Sequence, residues 1–255
     1  MTWHEAPGGT NETKTDHADQ PPPRDDASRA TDDGRLLPFT MGTVVPQAHA
    51  GVTALGGYDS AARSARVVTS AEARALKFLA IRVEYEHGPG TGSDDRVTLG
   101  ARVAILSQAA HGIDLGVGFF FQPKDFRDEG SFLGGILLGR NFGRWGLFLN
   151  GLAAVDTEGD DYSTEVRLSS MYRVSKLLHL GFDTRGRYNF SGDEKRFSAQ
   201  QVNWEIQAGP LASMTLGPVA LTAIVGPSAL HLTEPNSEQR TAVGALAMAG
   251  AGAVF

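Results

Sequence analysis

Ser169, His179 and Asp183 are the residues here whose types could do covalent chemistry, with Glu165 and Arg167 in alternation beside them. A serine, a histidine base and a carboxylate make a hydrolytic relay only when the three side chains are in hydrogen-bond contact. In an extended segment His179 and Asp183 share a face, but four residues of strand rise put them about 13 Å apart. They cannot touch directly. A contact between Ser169 and His179 across neighbouring strands depends on register, which the sequence leaves open. A hydrolase using His179 as base is therefore one alternative, and a polar residue on a wet face is the plainer reading. His111 falls in a turn near Asp114, while His87 and His231 sit at loop edges, too dispersed for a metal site. Asp156, Glu158, Asp160 and Asp161 alternate around Gly159 in the manner of a calcium loop. They lack the bidentate glutamate at the proper distance, and a solvated acidic loop explains them. No catalytic residue, metal site or cofactor is expected.

A larger charged set does fall into a pattern. Arg74, Arg82, Arg96, Arg102, Arg140, Arg167, Arg173, Arg185 and Arg187 are interleaved with Glu72, Glu84, Asp114, Glu165, Asp183 and Glu205. They recur at every second residue of segments whose intervening residues are apolar. "RVTLGARVAILS" sets Val97, Leu99, Ala101, Val103 and Ile105 against Arg96, Thr98, Gly100, Arg102 and Ala104. "LLHLGFDTRGRYNF" sets Leu178, Leu180, Phe182 and Tyr188 against His179, Asp183, Arg185 and Arg187. Period two over such lengths predicts strands whose two faces meet different media.

The breaks between these strands alternate in kind. Long acidic loops ("HGPGTGSDD", "PKDFRDEG", "DTEGDD", "SGDEKRFSAQQ", "TEPNSEQ") alternate with short turns near "AAHG", "FGR", "VSK" and "LGP". Long and short connections in strict exchange predict an antiparallel up-and-down barrel with unlike rims. Strands are expected at about 79–87, 95–107, 112–122, 130–141, 144–155, 162–173, 177–190, 202–215, 218–230 and 238–255. A further hairpin at about 47–58 and 66–76 brings the number to twelve, with ten as the alternative if it stays outside.

Composition bounds the rest. The chain has 255 residues, no cysteine, 31 glycines and a net charge of −6, which excludes disulfides and thiolate metal sites and argues against nucleic acid as a partner. No apolar run is long enough for a transmembrane helix. Residues 1–45 are polar and proline-bearing with little to bury, and are expected to be disordered, so the folded unit is expected to be 46–255. Ala48-His49-Ala50, after a short apolar run, fits a small-residue cleavage rule, though acidic residues and prolines surround it.

The two faces decide between a soluble barrel or sandwich holding an apolar ligand and a barrel in lipid. The polar face carries Arg82, Glu84, Arg102, Asp114, Glu165, Arg167, His179, Asp183, Arg185, Arg187 and Glu205, as a wetted or salt-bridged lumen requires. Aromatic residues fall near strand ends at Tyr85, Phe121, Trp145, Tyr172, Tyr188, Trp204 and Phe255, where an interfacial girdle belongs. Many residues of the apolar face are small (Ala101, Ala208, Ala212, Ala223, Ala247, Ala249), which suits a lipid surface better than a core. The expected fold is therefore an all-β transmembrane antiparallel barrel.

On these strands, on the short turns opposite long loops and on the terminal strand ending in Phe255, the chain resembles the bacterial outer-membrane β-barrel superfamily over roughly residues 46–255. The resemblance implies a place in the outer membrane of a Gram-negative cell envelope, among lipid and lipopolysaccharide. It also implies that the last strand is read by the barrel-assembly machinery, with Phe255 and the alternate residues Val243, Ala245, Ala247, Ala249, Ala251 and Ala253 in the signal positions. The terminal strand is poorer in large apolar residues than that pattern. The expected function is a narrow passive channel or a structural barrel with a charged lumen, a lipid or lipopolysaccharide hydrolase being the alternative. Oligomeric state is not legible.

Overall fold

The alternation is realised as twelve antiparallel strands that close on themselves. The computed structural model describes residues 37–42, 49–88, 95–123, 130–159, 161–191, 201–233 and 238–255. The strands are β1 (Ala50–Asp59), β2 (Ser64–Leu76), β3 (Leu79–His87), β4 (Asp95–Leu106), β5 (Asp114–Pro123) and β6 (Gly130–Phe142). They continue as β7 (Trp145–Asp156), β8 (Asp161–Arg173), β9 (Leu178–Ser191), β10 (Gln201–Leu216), β11 (Val219–Thr233) and β12 (Gln239–Val254). One helical turn, α1 (Gln108–His111), lies between β4 and β5. No strand end lies more than three residues from its expected place.

Every strand pairs with its sequence neighbour, and β1 pairs with β12 from Gly51 opposite Val254 to Asp59 opposite Leu246. The upstream hairpin joins, so the ten-stranded alternative is wrong. The seam is tight because glycines line it: a Cβ on Gly57 would strike the Ala247 carbonyl, and one on Gly250 would strike that of Ala54. Both barrel termini share one end, the terminus rim, with the two-residue turns at 77–78, 143–144 and 217–218, the four-residue connection at 174–177 and the seven-residue connection that holds α1. Connections of four to nine residues share the other, the loop rim.

Large apolar side chains point outward along the wall, among them Ile81, Phe119, Phe132, Ile136, Val166, Phe182, Ile206 and Val225. Charged residues of the strand middles, Arg66, Glu86, Arg102, Arg167, Arg185 and Glu205 among them, point inward and are buried. This is the inverse of a soluble barrel around an apolar ligand, and it overturns that alternative. The interior also holds apolar patches. Leu55, Val68, Phe148, Met171, Leu211, Ile224, Leu246 and Met248 form one, and Phe120, Leu133, Leu137 and Leu152 another.

Part of the segment expected to be disordered belongs to the fold. Leu37, Phe39 and Met41 are buried within those two patches, and Thr40 is buried between them. The expectation of disorder for 1–36 and 43–45 lies outside the described residues.

Candidate functional site

Among the described residues, the lumen is where the fold gathers buried charge. Period-two strands make this unavoidable, since a residue's parity fixes its face once its register is set. Seven arginines (Arg66, Arg82, Arg96, Arg102, Arg167, Arg185, Arg187) and five glutamates (Glu72, Glu84, Glu86, Glu165, Glu205) form one continuous set of ion pairs. They come from β2, β3 and β4 on one side and β8, β9 and β10 on the other.

Several of these pairs cross the barrel. Glu86 of β3 meets Arg185 of β9 at 2.5 Å, and those strands are six places apart in a ring of twelve. Arg66 of β2 bonds Glu205 of β10 at 2.6 Å and Glu86 at 2.6 Å. Arg167 of β8 reaches Glu84 of β3 at 3.4 Å. Arg187 and Arg185 converge on Glu165 at 3.0 and 2.8 Å, and Arg96 pairs with Glu86. The charges thus act as struts between opposite walls. In a low-dielectric barrel such charges persist only when each has partners.

Nearer the loop rim, Asp59 accepts hydrogen bonds from Gln207 Nε2 (3.1 Å), Ser228 Oγ (2.7 Å) and the Ala61 N–H (3.0 Å). The last of these folds the β1–β2 turn inward, where Ala61 packs on Val202, Leu230 and Leu232.

Below the struts lies the segment Leu37–Gly42. Asp183 accepts from the Phe39 N–H (2.8 Å) and the Thr40 hydroxyl (2.7 Å), and Asn150 Oδ1 accepts from the Met41 N–H (2.8 Å). Arg167 donates to the Phe39 carbonyl (2.8 Å) and Arg102 to that of Met41 (3.0 Å). Beside Met41 a void of about 10 Å³ remains, bordered by Arg82, Glu84, Thr98 and Arg167. That is close to the room needed by one water molecule.

Of the residues expected in the lumen, Arg82, Glu84, Arg102, Glu165, Arg167, Arg185, Arg187 and Glu205 enter this network, and His179 and Asp183 are buried inside it. Asp114 instead sits at the terminus rim, where it accepts from the Gln108 N–H (2.6 Å) and holds α1. Arg140 is a correction. Leu133, Gly135, Leu137 and Gly139 face inward on β6, so Arg140 has outward parity and is exposed near the terminus rim. There its long stem can carry the charge to water.

Arg66, Glu86, Asn150, Gln207 and the segment at 37–42 were not expected. Arg66 and Glu86 shared the parity of Glu72 and Glu84, so the information was present. For the segment, the clue lay in Phe120, Leu133, Leu137, Phe148 and Leu152, which face a lumen that has no use for apolar residues unless something covers them.

The hydrolytic relay does not assemble. Register places Ser169 opposite Asp183 and His179 opposite Arg173, four residues further along the strand. Ser169 Oγ donates to the Phe182 carbonyl. In the acidic loop Asp156 Oδ1 accepts from the Gly159 N–H (2.6 Å), Asp160 lies outside the described residues, and no cluster that could hold a metal occurs among those described.

The aromatics take two levels. Tyr85, Tyr188 and Trp204 lie toward the loop rim, where Tyr85 donates to Asp95 (2.6 Å) and Trp204 stacks on His231 (5.8 Å). Trp145 and Tyr172, 4.9 Å apart, lie at the terminus rim with Phe255.

No family model matches the chain, and no curated protein does either. Among solved structures, the NanC porin is similar at a TM-score of 0.54 and 10% identity, covering 80% of this chain and 99% of that one. The outer membrane channel DcaP of Acinetobacter baumannii (TM-score 0.44, 10% identity, 80% and 71% covered) is another. A third is OmpT, an outer membrane protein of Vibrio cholerae (0.42, 9%, 81% and 96%). The chain has the fold of an outer-membrane β-barrel.

Proposed function

We propose that this barrel spans the bacterial outer membrane among lipid and lipopolysaccharide and forms a narrow passive channel that favours small anions. The observation that carries this reading is the set of struts between opposite walls, in which seven arginines face five glutamates. A barrel with a purely structural role could fill its lumen with apolar side chains and avoid the desolvation of twelve charges. A lumen that hydrates and admits counter-ions suits them. Within the strut set guanidinium groups outnumber carboxylates, Asp59 and Asp183 being held outside it by neutral donors. That local excess sets the sign of the ion admitted, because Arg offers several donors to an anion at once. Tyr85, Trp145, Tyr172, Tyr188, Trp204 and Phe255 serve as the girdle, and the last strand with Phe255 as the part read by the assembly machinery.

Planar-bilayer recording of the refolded full chain tests the channel. Small conductance steps are expected, with a reversal potential in a potassium chloride gradient displaced toward that of chloride. Absence of steps at every voltage and in every variant leaves only a structural barrel.

A further inference from the structure

We propose that the lumen contains a binding site for a short, bent apolar peptide, and that its resident ligand is Leu37–Gly42 of the same chain, a displaceable plug that holds the channel shut. This rests on the channel reading above.

The wall reads a peptide main chain. Donors of the segment at Phe39 and Met41 meet Asp183 and Asn150, and its carbonyls at the same two residues meet Arg167 and Arg102. Acceptors for N–H groups and donors for carbonyls, in alternation along the wall, match what a peptide main chain presents and what a simple ion does not. Side chains supply the second half of the recognition. Leu37 and Phe39 enter the patch containing Phe148, Met171 and Ile224, whereas Met41 enters that of Phe120 and Leu137. These inner apolar residues would face water if the lumen were open. Covering them is favourable by the ordinary hydrophobic effect, and the segment is apolar at every second residue, as the two patches require.

The plug is tethered and removable. Seven residues separate Gly42 from Ala50, at most about 25 Å of chain, so the segment reaches the lumen from the terminus rim. Short tethers give an effective concentration in the millimolar range, which keeps even a modest ligand seated. No strand pairing holds the segment: Leu37–Gly42 is absent from every ladder, and side chains of the wall make its described polar contacts. It can therefore leave without unpairing any strand. The polar groups it abandons can take water or an anion in exchange.

The test uses the full chain, which has no cysteine of its own. Thr40→Cys with Asp183→Cys joins two positions whose side chains touch at 2.7 Å. Heat-modifiable gel migration verifies that the barrel has formed. The disulfide is expected to form on oxidation, to silence conductance, and to release it on reduction. Independently, Leu37→Ser, Phe39→Ser and Met41→Ser combined are expected to raise open probability at least ten-fold over the parent chain. Failure of the folded cysteine pair to cross-link, or an open probability unchanged by the three serines, overturns the plug. Recovery from native outer membranes of a chain beginning after Ala50 overturns it too. A disulfide that forms in a barrel which never conducts in any state overturns the channel reading, while leaving the lodged segment in place.

Discussion

Glu86 is the most heavily used side chain in the lumen. Its two oxygens face Arg66 and Arg185 at 2.6 and 2.5 Å, Arg96 as well, and Arg187 at 3.8 Å. Removing its charge leaves three or four buried guanidinium groups competing for Glu165 and Glu205. Breaking one side of a buried pair costs about 3–5 kcal/mol, so Glu86→Gln is expected to lower barrel stability by an amount of that order, read by urea unfolding in lipid vesicles. Arg185→Met in the same chain is expected to recover part of the loss, because one stranded charge goes with it. Strict additivity of the two substitutions would show that the groups do not share a network. The same Glu86→Gln change is expected to strengthen chloride preference in bilayer recordings. His179 illustrates the opposite case. Its cross-strand neighbours are Arg173 and Ser213, not Ser169, and the Ser213 hydroxyl is engaged with that of Thr222, so His179→Ala is expected to leave outer-membrane lipid profiles unchanged. Altered acyl chains in a strain carrying it would revive a hydrolase.

At the scale of the strand, which face meets lipid follows from parity alone and can be tested by reversing it. Ile136 is the central residue of β6, exposed on the outer wall, with Leu137 fully buried beside it. An arginine on the lipid face of a barrel at mid-bilayer costs about 2–4 kcal/mol. Ile136→Arg is therefore expected to destabilise the barrel in vesicles by that order, whereas the naturally outward Arg140, near the rim, is replaceable by glutamine at little cost. Equal tolerance at both positions, measured by the same unfolding assay, would mean that the outer wall faces water. The strands themselves were legible because β3, β4, β8 and β9 separate charged from apolar residues at every step. On β5, β6 and β7 that contrast fades: "SFLGGILLGRNF" and "WGLFLNGL" are apolar or small on both faces, and Arg140 was accordingly assigned inward. The closure at β1–β12 rested on glycines that permit close approach, which composition cannot distinguish from turn glycines. Leu37–Gly42 escaped because a six-residue segment carries no period long enough to read, and its role depends on partners from β4, β7, β8 and β9 that only the closed barrel brings together.

For the whole molecule, the distance between the two aromatic levels must match the membrane. Register supplies a ruler. Tyr172 lies opposite Leu180 and Trp204 opposite Tyr188, so the two levels are eight residues apart along β9. Eight residues of strand span about 26 Å, and a tilt near 40° reduces that to about 20 Å of height, comparable with the ~25 Å apolar band of outer-membrane barrels. Trp145 and Trp204 are therefore expected at opposite interfaces of one bilayer. With Trp3→Phe, these two are the remaining tryptophans of the chain, and each can be isolated by replacing the other with phenylalanine. In vesicles of brominated lipid, both are expected to be quenched more strongly by bromines near the headgroup than by bromines near the chain ends. Stronger quenching by the deep bromines for either residue would move that rim into the hydrocarbon and require a different tilt or depth. No quenching of either would remove the barrel from the membrane altogether, and with it the channel, the girdle and the meaning of a plug.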